Sequence, residues 1–129
     1  MTKAILMVLL AVVSSCAAAG WVKVGGGGGE YNVYADAATI HKAGNTARMW
    51  NILDYKSVRV LDGKRFLSSM MQYEYDCKAE RGRLLYSSIR SQNMGKGDAI
   101  LTDLFPHEWR SLPHGSVVEE LWNYACSTR

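Results

Sequence analysis

One cation, Lys3, precedes an unbroken apolar run from Ala4 to Val13, and small residues follow: Ser14-Ser15-Cys16-Ala17-Ala18-Ala19-Gly20. A short positive start, an apolar stretch of this length and a small-residue exit are the marks of a secretory leader. The run falls short of the ~20 apolar residues that a membrane-spanning helix needs. Export is therefore expected, to the periplasm or the outer membrane and cell surface, with residues 1–19 as signal peptide and residues 20–129 as a single domain. Ala17-x-Ala19 suits ordinary cleavage. Val13-Ser14-Ser15-Cys16 is equally similar to a lipobox, in which residues 1–15 leave and a lipidated Cys16 becomes the N-terminus. The first route releases the domain. The second gives it a membrane contact through the lipid anchor alone.

Export constrains the cysteines. The chain has three, and Cys16 is either discarded or capped. Cys77 and Cys126 remain, in a chain bound for an oxidising compartment, so one intramolecular bridge is expected, with two separate buried thiols as the alternative. Closing a loop of about 50 residues stabilises by ~4 kcal/mol in the chain-entropy account.

Hydrophobic residues make up 48% and charged residues 21%, which argues against disorder. The formal net charge is +3, and Lys3 accounts for one of those positives. The remaining charges are interspersed, as in Lys78, Glu80, Arg81 and Arg83, without the basic stripe of a nucleic-acid binder. No nucleic-acid partner is expected.

The mature segment reads as strands, then one helix. Trp21–Val24 and Tyr31–Tyr34 are rich in aromatic and β-branched residues, and Gly25–Gly29 between them reads as a flexible hairpin loop. It lacks the Lys-Ser/Thr of a phosphate-binding loop, as does Gly95-Lys96-Gly97. Asp36–Ile40 is expected as a turn or single helical turn, and Lys42–Asn45 as a tight reversal. Thr46–Tyr55 follows as a long strand. Ala47, Met49, Asn51 and Leu53 lie on one face; Arg48, Trp50, Ile52 and Asp54 lie on the other. Asp62-Gly63-Lys64 signals a hairpin. Leu67–Asp76 and Arg83–Ser91 continue the sheet, Ala99–Phe105 extends it, and Trp109 sits in a further short extended piece. No alternation of strands and helices appears, so an antiparallel meander is expected.

The period changes near the C-terminus. Ser116-Val117-Val118-Glu119 is a capping box, and Val118, Leu121, Trp122, Ala125 and Cys126 form one apolar stripe at helical spacing. The fold class expected is α+β: a mainly antiparallel sheet with a C-terminal helix packed on it and clasped by a Cys77–Cys126 disulfide.

Catalytic and metal chemistry find little support. His41, His107 and His114 are scattered among turns, without partners at metal-ligand spacing. No serine sits in a nucleophile elbow. Glu74 and Asp76 share a strand face, where pairing with Arg81 or Arg83 across a hairpin is the simpler expectation. No catalytic residue, metal or cofactor is assigned. The four tryptophans and seven tyrosines are the better lead. Most are expected between helix and sheet, with the exposed ones suited to an interface. Met70 and Met71 are expected to line an adaptable apolar groove for a small ligand or a homodimer partner.

The residues in order resemble the surface-adhesin protein E family of Gram-negative bacteria, from Trp21 to Cys126. Trp21-Val22 opens the domain, Tyr34-x-Asp36 precedes the turn, and Trp50 with Asp54-Tyr55 marks the long strand. The centre is Tyr73-Glu74-Tyr75-Asp76-Cys77 followed by Arg81-x-Arg83. Met94-Gly95-x-Gly97, Trp109, Pro113-x-Gly115-Ser116 and Leu121-Trp122 with Cys126 complete the pattern. The resemblance implies an envelope location and adhesin-like binding of protein partners, including host extracellular-matrix proteins such as vitronectin and laminin. No motif here marks the matrix-binding surface, so the resemblance assigns no binding residue. A carrier of a small apolar or haem-like ligand, in the periplasm or at the outer membrane, is the alternative expectation.

Overall fold

The computed structural model describes residues 20–26, 28–104 and 106–128. The expected leader with Cys16, the middle of the glycine run at Gly27, and Phe105 lie outside the described residues. Among the described residues no helix is long and apolar enough to cross a membrane.

The described residues form eight strands and one α-helix, in order: β1 (Trp21–Gly26), β2 (Tyr31–Asp36), β3 (His41–Ala43), β4 (Thr46–Leu61), β5 (Lys64–Asp76), β6 (Arg81–Arg90), β7 (Ala99–Asp103), β8 (Arg110–Ser111) and α1 (Val117–Ser127). They form one antiparallel meander in the order β1-β2-β4-β5-β6-β7, with β3 also on β4 and β8 also on β6. The expected α+β class holds, and so does the clasp: Cys77 and Cys126 are bonded, with Cα atoms 5.5 Å apart.

Two of the boundaries that differ from expectation have a clear physical reason. Gly25 and Gly26 belong to β1, where a register shift after Lys23 lets them pair with Val33 and Asn32. The glycine run is thus part strand and part turn, because a residue without Cβ loses nothing sterically in either role. The long strand does not stop at Tyr55. It runs to Leu61 and pairs back on β5 through a turn in which Asp62 and Gly63 have φ of 49° and 75°. That is the left-handed pair that suits a tight hairpin.

The helix lies on one sheet face. Val33, Ala35, Ala47, Met49 and Tyr75 from the strands meet Leu121 and Ala125 of α1, all essentially without exposure. Ser116 caps α1 by accepting the amide of Glu119 at 3.2 Å. The Glu119 carboxylate reaches one residue further back than a capping box predicts, accepting the Gly115 amide at 3.2 Å. Ser116's own amide is taken by the Pro113 carbonyl. Beyond the disulfide, the Trp122 indole donates to the Asp76 carbonyl at 2.8 Å, and Lys42 donates to that of Cys126 at 3.3 Å.

A candidate binding face of arginine, tryptophan and tyrosine

The sheet face away from α1 is built in rows, because residues directly opposite on paired strands project to the same side. Arg48, Glu74 and Arg83 form one row across β4, β5 and β6; Trp50, Gln72 and Tyr86 form the next. Simple alternation would send Arg83 and Tyr86, three residues apart, to opposite faces. A bulge at Leu85 corrects this: Leu84 stays opposite Tyr73 on the helix side, while Tyr86 returns opposite Gln72 on the bare side.

Beyond these rows the face is covered. Residues 91–98 fold back over Ile52, Met70 and Ser68. The Ser68 hydroxyl donates to the Gln92 carbonyl at 2.5 Å and accepts the Gly95 amide at 2.9 Å. Asp54 accepts from the Met94 amide at 2.8 Å and from the Asn93 side chain at 3.0 Å. Gly95 sits so close that a Cβ would lie 2.9 Å from the Met70 terminal methyl, and its φ is 71°. Glycine is required there. Met70 is therefore beneath this flap, and Met71 points to the opposite side of the pleat. The expected shared methionine groove does not form, because adjacent strand residues face apart.

The uncovered rows are strongly polarised. Glu74, 6% exposed, accepts from Arg48 at 2.9 Å through one oxygen and from Arg83 at 2.9 and 2.7 Å through the other. Burial pushes its carboxyl up, but the hydrogen bonds from Arg48 and Arg83 outweigh this and hold it below the usual range. Asp76 is likewise held low, first by Arg81 at 2.7 Å and then by the Ala79 amide. The expected pairing with Arg81 and Arg83 is present. Arg48 was the partner missed, although its place opposite Glu74 follows once the register is known.

Aromatic rings frame this row. Trp50 and Tyr86 meet edge to face above Gln72, with centroids 5.0 Å apart. Trp109 lies against the guanidinium groups of Arg83 and Arg81, at 4.8 and 5.6 Å. It precedes β8 rather than lying in a strand. Fixing an arginine between a carboxylate and an indole pre-orders a side chain that is costly to immobilise on binding. Five of the eleven tryptophans and tyrosines join the core under α1 (Tyr31, Tyr73, Tyr75, Trp122 and Tyr124). Trp50, Tyr86 and Trp109 do not, and they gather with the arginines.

An open cavity of about 640 Å³ lies along β6, with Tyr73, Leu84, Leu112 and Val118 among its apolar lining and Arg83, Glu108 and Arg110 among its polar lining. The histidines are exposed as expected. His107 contacts Asp103 at 2.7 Å and His114 contacts Glu119 at 3.2 Å. Among the described residues no group of three or more His, Cys, Asp or Glu is placed to hold a metal.

A family model described as surface-adhesin protein E matches residues 21–127. Among solved structures, two of Haemophilus influenzae protein E align with TM-scores of 0.59 and 0.61, each at 12% identity and over 84% of this chain. The first, from a non-typeable strain, is covered over 76% of its own length and the second over 84%. A further crystal form aligns at 0.58, with 13% identity over 82% of this chain and 96% of its own. At such identity the likeness concerns the fold. No curated protein sequence matches the chain.

Proposed function

The chain belongs to the surface-adhesin protein E family, and on that premise we propose that it binds protein partners at the cell envelope through the uncovered half of its sheet. The observation that carries this reading is the row Arg48–Glu74–Arg83, flanked by Trp50, Tyr86 and Trp109 on the face that α1 leaves bare. Tryptophan, tyrosine and arginine dominate interface hot spots, and here they are held in place before any partner arrives. The role is binding without covalent chemistry, and host extracellular-matrix proteins are the partner class to test. Immobilised vitronectin and laminin should capture purified protein, and Trp50→Ala with Tyr86→Ala should weaken capture about 30-fold at an unchanged fold. Capture that ignores both substitutions sinks this assignment of the face.

Export belongs to the same proposal. Intact mass of protein from exporting cells should show loss of residues 1–19, or a chain beginning at an acylated Cys16. A species that still starts at Met1 contradicts it.

The cavity along β6 favours a second reading, a carrier of a small apolar ligand. Tyr73 is among its lining residues, and burial pushes the pKa of its hydroxyl up, so it stays protonated. Quenching of tyrosine and tryptophan fluorescence by an apolar carboxylate, abolished by Val118→Trp, tests it; an unquenched signal removes it.

A further inference from the structure

The β4–β5 hairpin outruns the sheet that holds it. β2 leaves β4 at Tyr55 and β6 leaves β5 at Ser68, so the remainder, out to the Asp62-Gly63 turn, is a ribbon of two strands. Where it leaves the sheet, residues 55–58 of β4 oppose Leu67 alone. A bulge of this kind bends a ribbon and re-aims it.

The ribbon tip exposes aliphatic groups on both of its faces, since Val60 and Leu61 are adjacent and face apart. Val58, Val60 and Leu61 are 44%, 63% and 36% exposed, and Leu101 of the neighbouring β7 is 54% exposed. Leu61, Asp62 and Lys64 share a shallow hollow with Ile100 and Leu101, which joins the ribbon tip to β7. Cations alternate with these aliphatic groups: Val60 stands opposite Arg65, and Leu61 opposite Lys64. Between Lys56 and Arg65 the sequence holds four cations against the single carboxylate of Asp62, which matches the net charge of the entire chain. Arg59 is paired with Glu30 at 2.9 Å and lies over Tyr55. Lys64 and Arg65 have no carboxylate partner among the described residues.

We infer that this tip is a docking element for an anionic lipid bilayer. Aliphatic side chains at the most protruding point of a protein enter the boundary between headgroups and acyl chains, and cations beside them meet the anionic headgroups. A sulfated glycan would use the cations and leave Val60, Leu61 and Leu101 in water. The bilayer takes both. The site is separate from the proposed partner face, so a surface protein with this tip lies against its membrane while Trp50, Tyr86 and Trp109 remain free.

Co-sedimentation of the chain purified from exporting cells, with vesicles of phosphatidylcholine alone or with about one-third phosphatidylglycerol, tests this. Every sample carries the same N-terminus, so the ratio between vesicle types reads the tip. Binding should be at least about tenfold stronger to the anionic vesicles and should weaken with salt. Lys64→Ala with Arg65→Ala should reduce it about 25-fold, at roughly fivefold per cation. Val60→Ser with Leu61→Ser should reduce it about tenfold or more with an unchanged melting temperature, while Trp50→Ala leaves it intact. Equal binding to both vesicle types, or full binding by either double variant, overturns the inference. Retention on heparin without vesicle binding also overturns it, assigning the cations to a sulfated glycan.

Discussion

The two faces of this sheet are made from the same strands, one residue out of step, and they have opposite characters. On the helix side Ala35, Ala47 and Met49 are small or flexible and fully buried, leaving room for Leu121 and Ala125. On the other side the same stretch of β4 carries Arg48 and Trp50, whose long polar and aromatic side chains admit no helix. A carboxylate, an indole and a turn of chain order that face instead. Stability is therefore concentrated on one face, which leaves the other free to carry arginine and half-buried tryptophan without loss of fold.

The comparison is broken most forcefully through the clasp. Cys126→Ser should destabilise by about 4 kcal/mol, because the bridge spans a sequence separation of 49. Limited proteolysis should then cut first after Ser116, since a helix of three turns is marginal without its support. Free alkylation of both thiols in native exported protein would contradict the clasp outright. Leu121→Ala, on the same face, should cost about 3 kcal/mol through cavity formation, read as a lowered urea midpoint at constant slope.

The bare face should respond less. Glu74→Gln should cost about 1–2 kcal/mol at neutral pH, less than a fully buried pair, because the Arg48 and Arg83 side chains are 49% and 29% exposed. Its folded-state pKa is depressed, so its contribution is complete above the ordinary value of 4.5 and fades as pH falls below that value, through the folded one. Melting curves between neutral pH and pH ~3 should therefore converge for the parent and Glu74→Gln. Parallel curves would show that the row does not titrate this way.

A fourth substitution sharpens the contrast from inside the core. Asn51 is fully buried on the helix side, and neither its amide nitrogen nor its oxygen has a partner among the described residues. Asn51→Leu should stabilise by about 1 kcal/mol, seen as a higher melting temperature. The smallest effect belongs to the projecting tip, where Val60→Asp should change stability by no more than ~0.5 kcal/mol. A larger loss would mean that the ribbon is part of the core.

Much of the fold was legible because its signals are local. The β4 alternation sorted Ala47, Met49 and Asn51 from Arg48, Trp50 and Ile52 correctly. Ser116 and Glu119 marked the helix start, and Cys77 and Cys126, the two thiols expected to remain after export, admit one pairing. The candidate site was legible only in part. Tryptophan, tyrosine and arginine stood out as types, but which of them share a surface depends on strand register. Met70 and Met71 illustrate the failure: adjacent in sequence, they lie on opposite sides of the sheet.

Sequence alone determined the antiparallel class and the capped helix, since each rests on periodicity or on spacing within a few residues, and the cysteine count pointed to the covalent tie. Tertiary structure decided which face stays bare. That outcome depends on the Leu85 bulge that brings Arg83 and Tyr86 to one side, on the fold-back of residues 91–98, and on how far β4 and β5 outrun their neighbours. Each is a competition between pairings distant along the chain, settled by the free energy of the assembled sheet rather than by any local preference of the residues involved.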